Sequence, residues 1–192
     1  MKKAGRSEEY VLNENEIKKL WAVCKELKDR VLIGLMMFCG LRVGEATHLR
    51  LVWIREGKIH IPSTMGCDCW ECRKRGHWKP KSKQGIRTIP IPGFLKSILA
   101  EFLKYQPEGL NYNRQYGWHR VQRLCQDAKV PRIFPHALRA TCATQLAAKS
   151  FTAVELCYFM GWKRLEMGEH YIRIASARQG VEDKIKELWP DR

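Results

Sequence analysis

The sequence predicts a mainly helical α+β domain, with helices set around a small antiparallel sheet. Three observations carry that expectation. Apolar residues recur at helical spacing along most of the chain. Two short, weakly alternating segments flank a Glu56-Gly57 turn. The 192 residues, 45 % hydrophobic and 29 % charged, form an ordinary globular mixture, long enough to bury one core without disulfide staples.

The elements follow in order. Residues 1–10 read as a polar lead-in, and 11–192 as one domain. Asn13, with Glu16 three positions later, has the form of a capping box. Ile17, Leu20, Trp21, Cys24 and Leu27 then make a helical stripe. Asp29 to Cys39 predicts a buried helix that Gly40 ends, and another helix starts near Val43. Leu51–Ile54 and Lys58–Ile61 read as strands, 63–80 as a Cys-, Gly- and Lys-rich loop insertion, and Arg87–Ile91 as a strand stopped by Pro92 and Gly93. Beyond Phe94 the stripes are helical, with stretches expected at about 136–148, 152–160 and 181–189.

Charge narrows the partner. Lys and Arg number 35 against 20 Asp and Glu, a net charge of +15. That excess favours a polyanion, either nucleic acid or an anionic membrane surface. No signal peptide or spanning stretch is visible, and Val31 to Cys39 is too short to cross a bilayer. The expected location is therefore intracellular. Cys24, Cys39, Cys125, Cys142 and Cys157 sit singly among apolar neighbours, as reduced core cysteines do.

Two arginines lie in apolar company. Arg42 follows Phe38-Cys39-Gly40-Leu41, and Arg139 lies among Phe134, Ala137 and Leu138, on one helix face with His136. Each needs an anion or a structural acid such as Glu45, because unpaired buried charge is costly. Two such guanidinium groups suit a phosphate.

The ordered set is more specific than any member. Gly40-Leu41-Arg42-Val43-Gly44-Glu45 resembles the first signature box of the tyrosine recombinases, the phage integrase family. Pro135-His136-Ala137-Leu138-Arg139 resembles the second box. Met160-Gly161-Trp162, nine residues before Tyr171, resembles the last. Ser82-Lys83-Gln84-Gly85 before Arg87-Thr88-Ile89-Pro90 resembles the hairpin that carries the family's lysine. The likeness covers roughly Val11 to Tyr171.

The resemblance implies a site-specific recombinase or integrase that joins DNA to Tyr171 through a 3′-phosphotyrosyl link. Arg42 and Arg139 would stabilise the phosphoryl charge, with no catalytic metal. His136 would share the phosphate and help to move the phenol proton. Lys83, with Lys81 as backup, would protonate the leaving 5′ oxygen. Trp162 would donate its indole N–H where most relatives have His. The implied partner is double-stranded DNA, bound by a homotetramer in a prokaryotic cytoplasm or nucleoid, with no membrane role. Lys74, Arg75, Lys79, Lys81, Arg87, Arg120, Lys163 and Arg164 are expected DNA contacts.

Two features depart from the family. A DNA-clamping N-terminal domain is typical of it, and only a short lead-in precedes the signature here. This implies either an excised domain or single-domain binding. In addition, Cys67, Cys69 and Cys72 with His77 offer four ligands suited to tetrahedral, structural zinc. The same residues equally fit reduced cysteines in a basic loop.

Past Tyr171, Val181, Ile185, Leu188 and Trp189 form an apolar stripe. It either packs on its own domain or, as the family implies for about 175–192, docks on a neighbouring protomer. The competing function is a catalytically impaired DNA-binding domain or regulator of the same fold. A 3′-linking topoisomerase and a zinc-stabilised RNA-binding module rank below it.

Overall fold

The structure is a computed structural model that describes residues 10–110, 112–131 and 133–190. Apart from Tyr10, the expected lead-in lies outside the described residues. The elements run α1 (Glu14–Val23), α2 (Leu27–Met37), α3 (Val43–Ala46), β1 (Ile54–Arg55), β2 (Lys58–Ile61), β3 (Met65–Gly66), β4 (His77–Trp78), β5 (Arg87–Pro90), α4 (Gly93–Tyr105), α5 (Arg114–Asp127), α6 (Pro135–Ala148), α7 (Ala153–Met160) and α8 (Leu165–Leu188). The described chain is thus mainly helical with two small antiparallel sheets, ordered β1-β2-β5 and β3-β4.

Local chemistry explains the ends of these elements. The Asn13 side chain accepts the Glu16 N–H at 2.9 Å, and Glu16 accepts the Asn13 N–H at 2.9 Å, so the α1 capping box forms. Pro135 stands at the start of α6, where its missing N–H has no cost. The β1–β2 turn places Glu56 and Gly57 at φ of 50° and 69°, the left-handed pair that a tight hairpin requires. Ile59 then opposes Ile89, both buried, and His60 opposes Thr88.

The centre of the core is α2, which is buried from Val31 to Met37. Such a helix, apolar all round, needs partners on every side; α4, α5 and α6 all pack against it. In turn α8 lies across α6 and α7. Among the described residues no helix is long and apolar enough to cross a membrane.

Several boundaries differ from the sequence expectation. Leu51–Trp53 is a 3-10 turn rather than strand, because the pairing with β2 begins only at Ile54. The 63–80 loop contains the β3–β4 ribbon, with Met65 opposite Trp78. The short terminal helix expected at 181–189 is the end of one 24-residue helix that already carries Tyr171. Gly180 interrupts the apolar pattern without breaking the backbone hydrogen bonding. The stripe does not pack on its own domain: Val181, Ile185, Leu188 and Trp189 are all exposed.

Candidate active site

Two glycines bring three chain segments together. Gly40, just past α2, has φ of +59°, and a Cβ there would meet Met160 Sδ at 2.7 Å. Gly161 caps α7 at φ of +64°, with the Trp162 N–H bonded to the Cys157 carbonyl at 3.0 Å. A Cβ on Gly161 would meet the Gln84 carbonyl at 2.7 Å. The exit of α2, the end of α7 and the Lys83–Gly85 turn therefore converge.

The convergence aims backbone carbonyls at the arginines. Arg139 donates to the carbonyls of Gly40 and Met160. Arg42 donates from Nη2 to the Gly161 carbonyl at 3.1 Å, and from Nη1 to Glu45 at 2.8 Å. Glu45 also accepts the Arg42 backbone N–H at 2.9 Å. Arg87 completes the group, donating to both Glu45 oxygens at 3.2 and 3.0 Å and to the Phe159 carbonyl at 2.8 Å.

The electrostatics are unbalanced. Three guanidinium groups surround one carboxylate, which leaves two positive charges in a largely buried setting. Burial alone would raise the Glu45 pKa, but Arg87, then Arg139 and Arg42, more than offset it, and the group stays below its ordinary 4.5. Burial, then Arg42, pulls Arg139 down to about 9 against the support of Glu45. Both shifts report one condition, a shortage of negative charge that a bound phosphate would relieve.

His136 and Lys81 extend the cluster into an open cleft of about 490 Å³ that also exposes Arg42, Arg75, Lys79 and Arg114. Burial, then Arg139, Arg42 and Lys81, lowers the His136 pKa from 6.5. The imidazole is therefore neutral at neutral pH and free to accept a proton. Lys83 stands on the other flank, exposed in the turn that packs on Gly161.

Trp162 follows Gly161 directly. Its ring stacks on Tyr171 with centroids 5.1 Å apart and planes 10° from parallel. Tyr171 is only 3 % exposed. The phenol is thus adjacent to the arginine-bearing segment along the chain but covered in this conformation.

Lys74, Arg75, Lys79, Lys81, Lys163 and Arg164 are exposed as expected for DNA contacts. Two other expected contacts are corrected. Arg87 turns inward, because β5 alternation points it at Glu45. Arg120 makes two 2.6 Å bonds to the buried Asp29, tying α5 to α2. A third correction concerns the cysteine cluster. His77 is not in it; its Nδ1 pairs with the Arg75 carbonyl at 2.7 Å. His48 takes that place, grouped with Cys67, Cys69 and Cys72. His48 lies nineteen residues before Cys67, so no local spacing could have marked it. The group is compatible with a metal ion.

The phage integrase family matches residues 10–178. A tyrosine recombinase of Pseudothermotoga lettingae is 27 % identical over 187 residues, covering 91 % of this chain and 59 % of its own length. Tyrosine recombinase XerD of Pseudomonas aeruginosa is 26 % identical over 163 residues, with 79 % and 51 % covered. The chain thus spans about half to three-fifths of the length of these curated relatives. The crystal structure of XerA recombinase superposes with a TM-score of 0.72 at 15 % identity, over all of this chain and 68 % of that one. The catalytic domain of bacteriophage HP1 integrase gives 0.61 at 18 % identity, with 95 % and 98 % covered. A complex of XerH recombinase with its difH substrate gives 0.66 at 21 % identity, with 92 % and 53 % covered. The fold is that of a tyrosine recombinase catalytic domain, and the chain belongs to the phage integrase family.

Proposed function

We propose that this chain is the catalytic part of a site-specific DNA recombinase or integrase. The observation that carries the reading is the over-positive cluster of Arg42, Arg87 and Arg139 around Glu45, open to a cleft through Arg42 and His136. The solved complexes of XerH and of the Tn1549 transposon integrase with DNA support duplex DNA as the partner.

A DNA phosphate would enter beside Arg42 and Arg139. The Tyr171 oxygen attacks phosphorus, its proton passing towards His136, and the bond to the 5′ oxygen breaks. A lysine protonates that oxygen, leaving a 3′-phosphotyrosyl link and a free 5′ hydroxyl. Lys83 has the motif position for this role and Lys81 the place beside His136. In the reverse direction a 5′ hydroxyl attacks the link and restores the tyrosine. The developing phosphoryl charge is met by guanidinium groups already oriented by carbonyls and Glu45, so little reorganisation is needed. Trp162 donates its indole N–H to the phosphate once Tyr171 unstacks. Residues 11–192 act as one catalytic unit. The exposed stripe on α8 docks on a second protomer in a DNA-bound tetramer, within a bacterial cytoplasm or nucleoid. In this reading no metal takes part in strand transfer.

Because Tyr171 is covered, cleavage requires the Tyr171 turn of α8 to shift. The same burial is the one observation that favours the second reading, a DNA-binding domain that no longer cuts. Nicked duplex substrates from the chain's own genomic element, run on denaturing gels, separate the two. A covalent protein–DNA band that disappears in Tyr171→Phe supports the recombinase. Salt-sensitive binding without any band supports the second reading.

A further inference from the structure

The Cys67–Cys72 segment folds as a tight knuckle. The N–H groups of Cys72 and Arg73 bond to the Cys69 carbonyl at 2.9 and 2.8 Å, and the Cys67 N–H bonds to the Gly76 carbonyl at 3.1 Å. The three sulfurs and His48 Nε2 all lie within 4.8 Å of one another. His48, Cys67 and Cys72 are buried.

The distances match a shared ion rather than isolated thiols. A tetrahedral zinc with bonds of about 2.3 Å to sulfur and 2.05 Å to nitrogen sets sulfur–nitrogen edges near 3.6 Å. His48 Nε2 is 3.4 Å from Cys69 Sγ and 3.6 Å from Cys72 Sγ. The other ring nitrogen is already assigned. Nδ1 lies 2.8 Å from the Gly44 carbonyl, which can only accept, so Nδ1 carries the proton and Nε2 presents its lone pair to the sulfurs. Trp78 stacks on the imidazole with centroids 5.7 Å apart and fixes its plane.

We propose that His48, Cys67, Cys69 and Cys72 bind one zinc ion, which fastens the β3–β4 insertion to the segment carrying Arg42 and Glu45. Three thiolates and an imidazole with no open position make a structural site rather than a hydrolytic one. The ion would join two walls of the same cleft, since His48 and Cys72 line it together with Arg42, Lys81 and His136. It would thereby set where β4 delivers Lys79 and Lys81. The site is independent of whether the chain cuts DNA.

The test is metal analysis of the untagged full chain grown with added zinc. We expect one zinc per chain, held against a chelating dye that strips it readily from His48→Ala and Cys72→Ser, while His77→Ala behaves as wild type. Should those variants not fold, cobalt loading of the wild type decides, with the strong visible absorption of tetrahedral thiolate-bound cobalt as the expected result. A folded wild type that takes up neither metal overturns the proposal. So does zinc that survives both substitutions, or a disulfide among the three cysteines in freshly isolated protein.

Discussion

Replacing Glu45 with glutamine keeps the shape of the arginine cluster and removes its one negative charge. Glu45 is 2 % exposed, lies 3.0 and 3.2 Å from Arg87 and 2.8 Å from Arg42, and caps α3 through the Arg42 N–H. The Arg42 side chain is 21 % exposed and partly screened by water, so most of the loss falls on Arg87 and Arg139. Removing one partner of a buried ion pair costs about 3–5 kcal/mol. A domain of this size has about 5–15 kcal/mol of stability, and each kcal/mol moves its Tm by about 2–4 °C. Glu45→Gln should therefore lower Tm by about 6–20 °C in thermal denaturation followed by circular dichroism.

Two further features identify the cause. Sulfate or phosphate should restore more Tm in the variant than in the wild type, because the site has become more positive by one charge. The acid limb should also change. Glu45 has a folded pKa below its ordinary 4.5, so its stabilisation is present above 4.5 and is lost as pH falls through the folded value. The glutamine variant lacks this contribution and should lose less stability below pH 4.5 than the wild type. A Tm within about 2 °C of wild type would refute the reasoning, because it would mean that the buried arginines are satisfied without the carboxylate.

The other predictions concern the cleft. Arg87→Lys should lower Tm yet leave the slope of log DNA affinity against log salt unchanged, whereas Lys79→Ala should reduce that slope by about one and leave Tm alone. Loss of the general-acid lysine should slow single-turnover cleavage by about 10²–10⁴-fold. A substrate with sulfur at the 5′ bridging position has a leaving group that needs no proton, so it should rescue whichever of Lys83→Ala and Lys81→Ala is impaired; failure to rescue either would remove lysine from that role. Cleavage measured below saturation should fall on the acid side as His136 is protonated, with a midpoint below 6.5. His136→Gln should be slower and should lack that limb, and an acid limb that persists in it would assign the titration elsewhere.

Much of the fold and the reactive set was legible in linear order. The Asn13 capping box, the apolar run of α2, the Glu56-Gly57 turn and the Pro135 start of α6 are local signals, fixed by neighbours within a few residues. The boxes around Arg42, Arg139 and Tyr171 are equally local, and each marks a segment with a special backbone need, as Gly40 and Gly161 demonstrate. Basic residues are different. Sequence spacing makes Arg75, Lys79, Arg87 and Arg120 look alike, but inward alternation on β5 sends Arg87 to Glu45, and helix packing sends Arg120 to Asp29.

The sequence by itself thus determined the fold class, the family and the order of the reactive residues, since these depend on periodicity, turns and contiguous motifs. Only the tertiary structure decided which arginines serve the cleft and which serve the core, that His48 rather than His77 joins the cysteines, and that Tyr171 is stacked under Trp162. Each of those outcomes depends on residues far apart in the chain whose side chains meet only when α2, α7, β5 and the insertion pack together. Charge and hydrogen-bonding capacity are written in the residue, but the partner that satisfies them is chosen by packing.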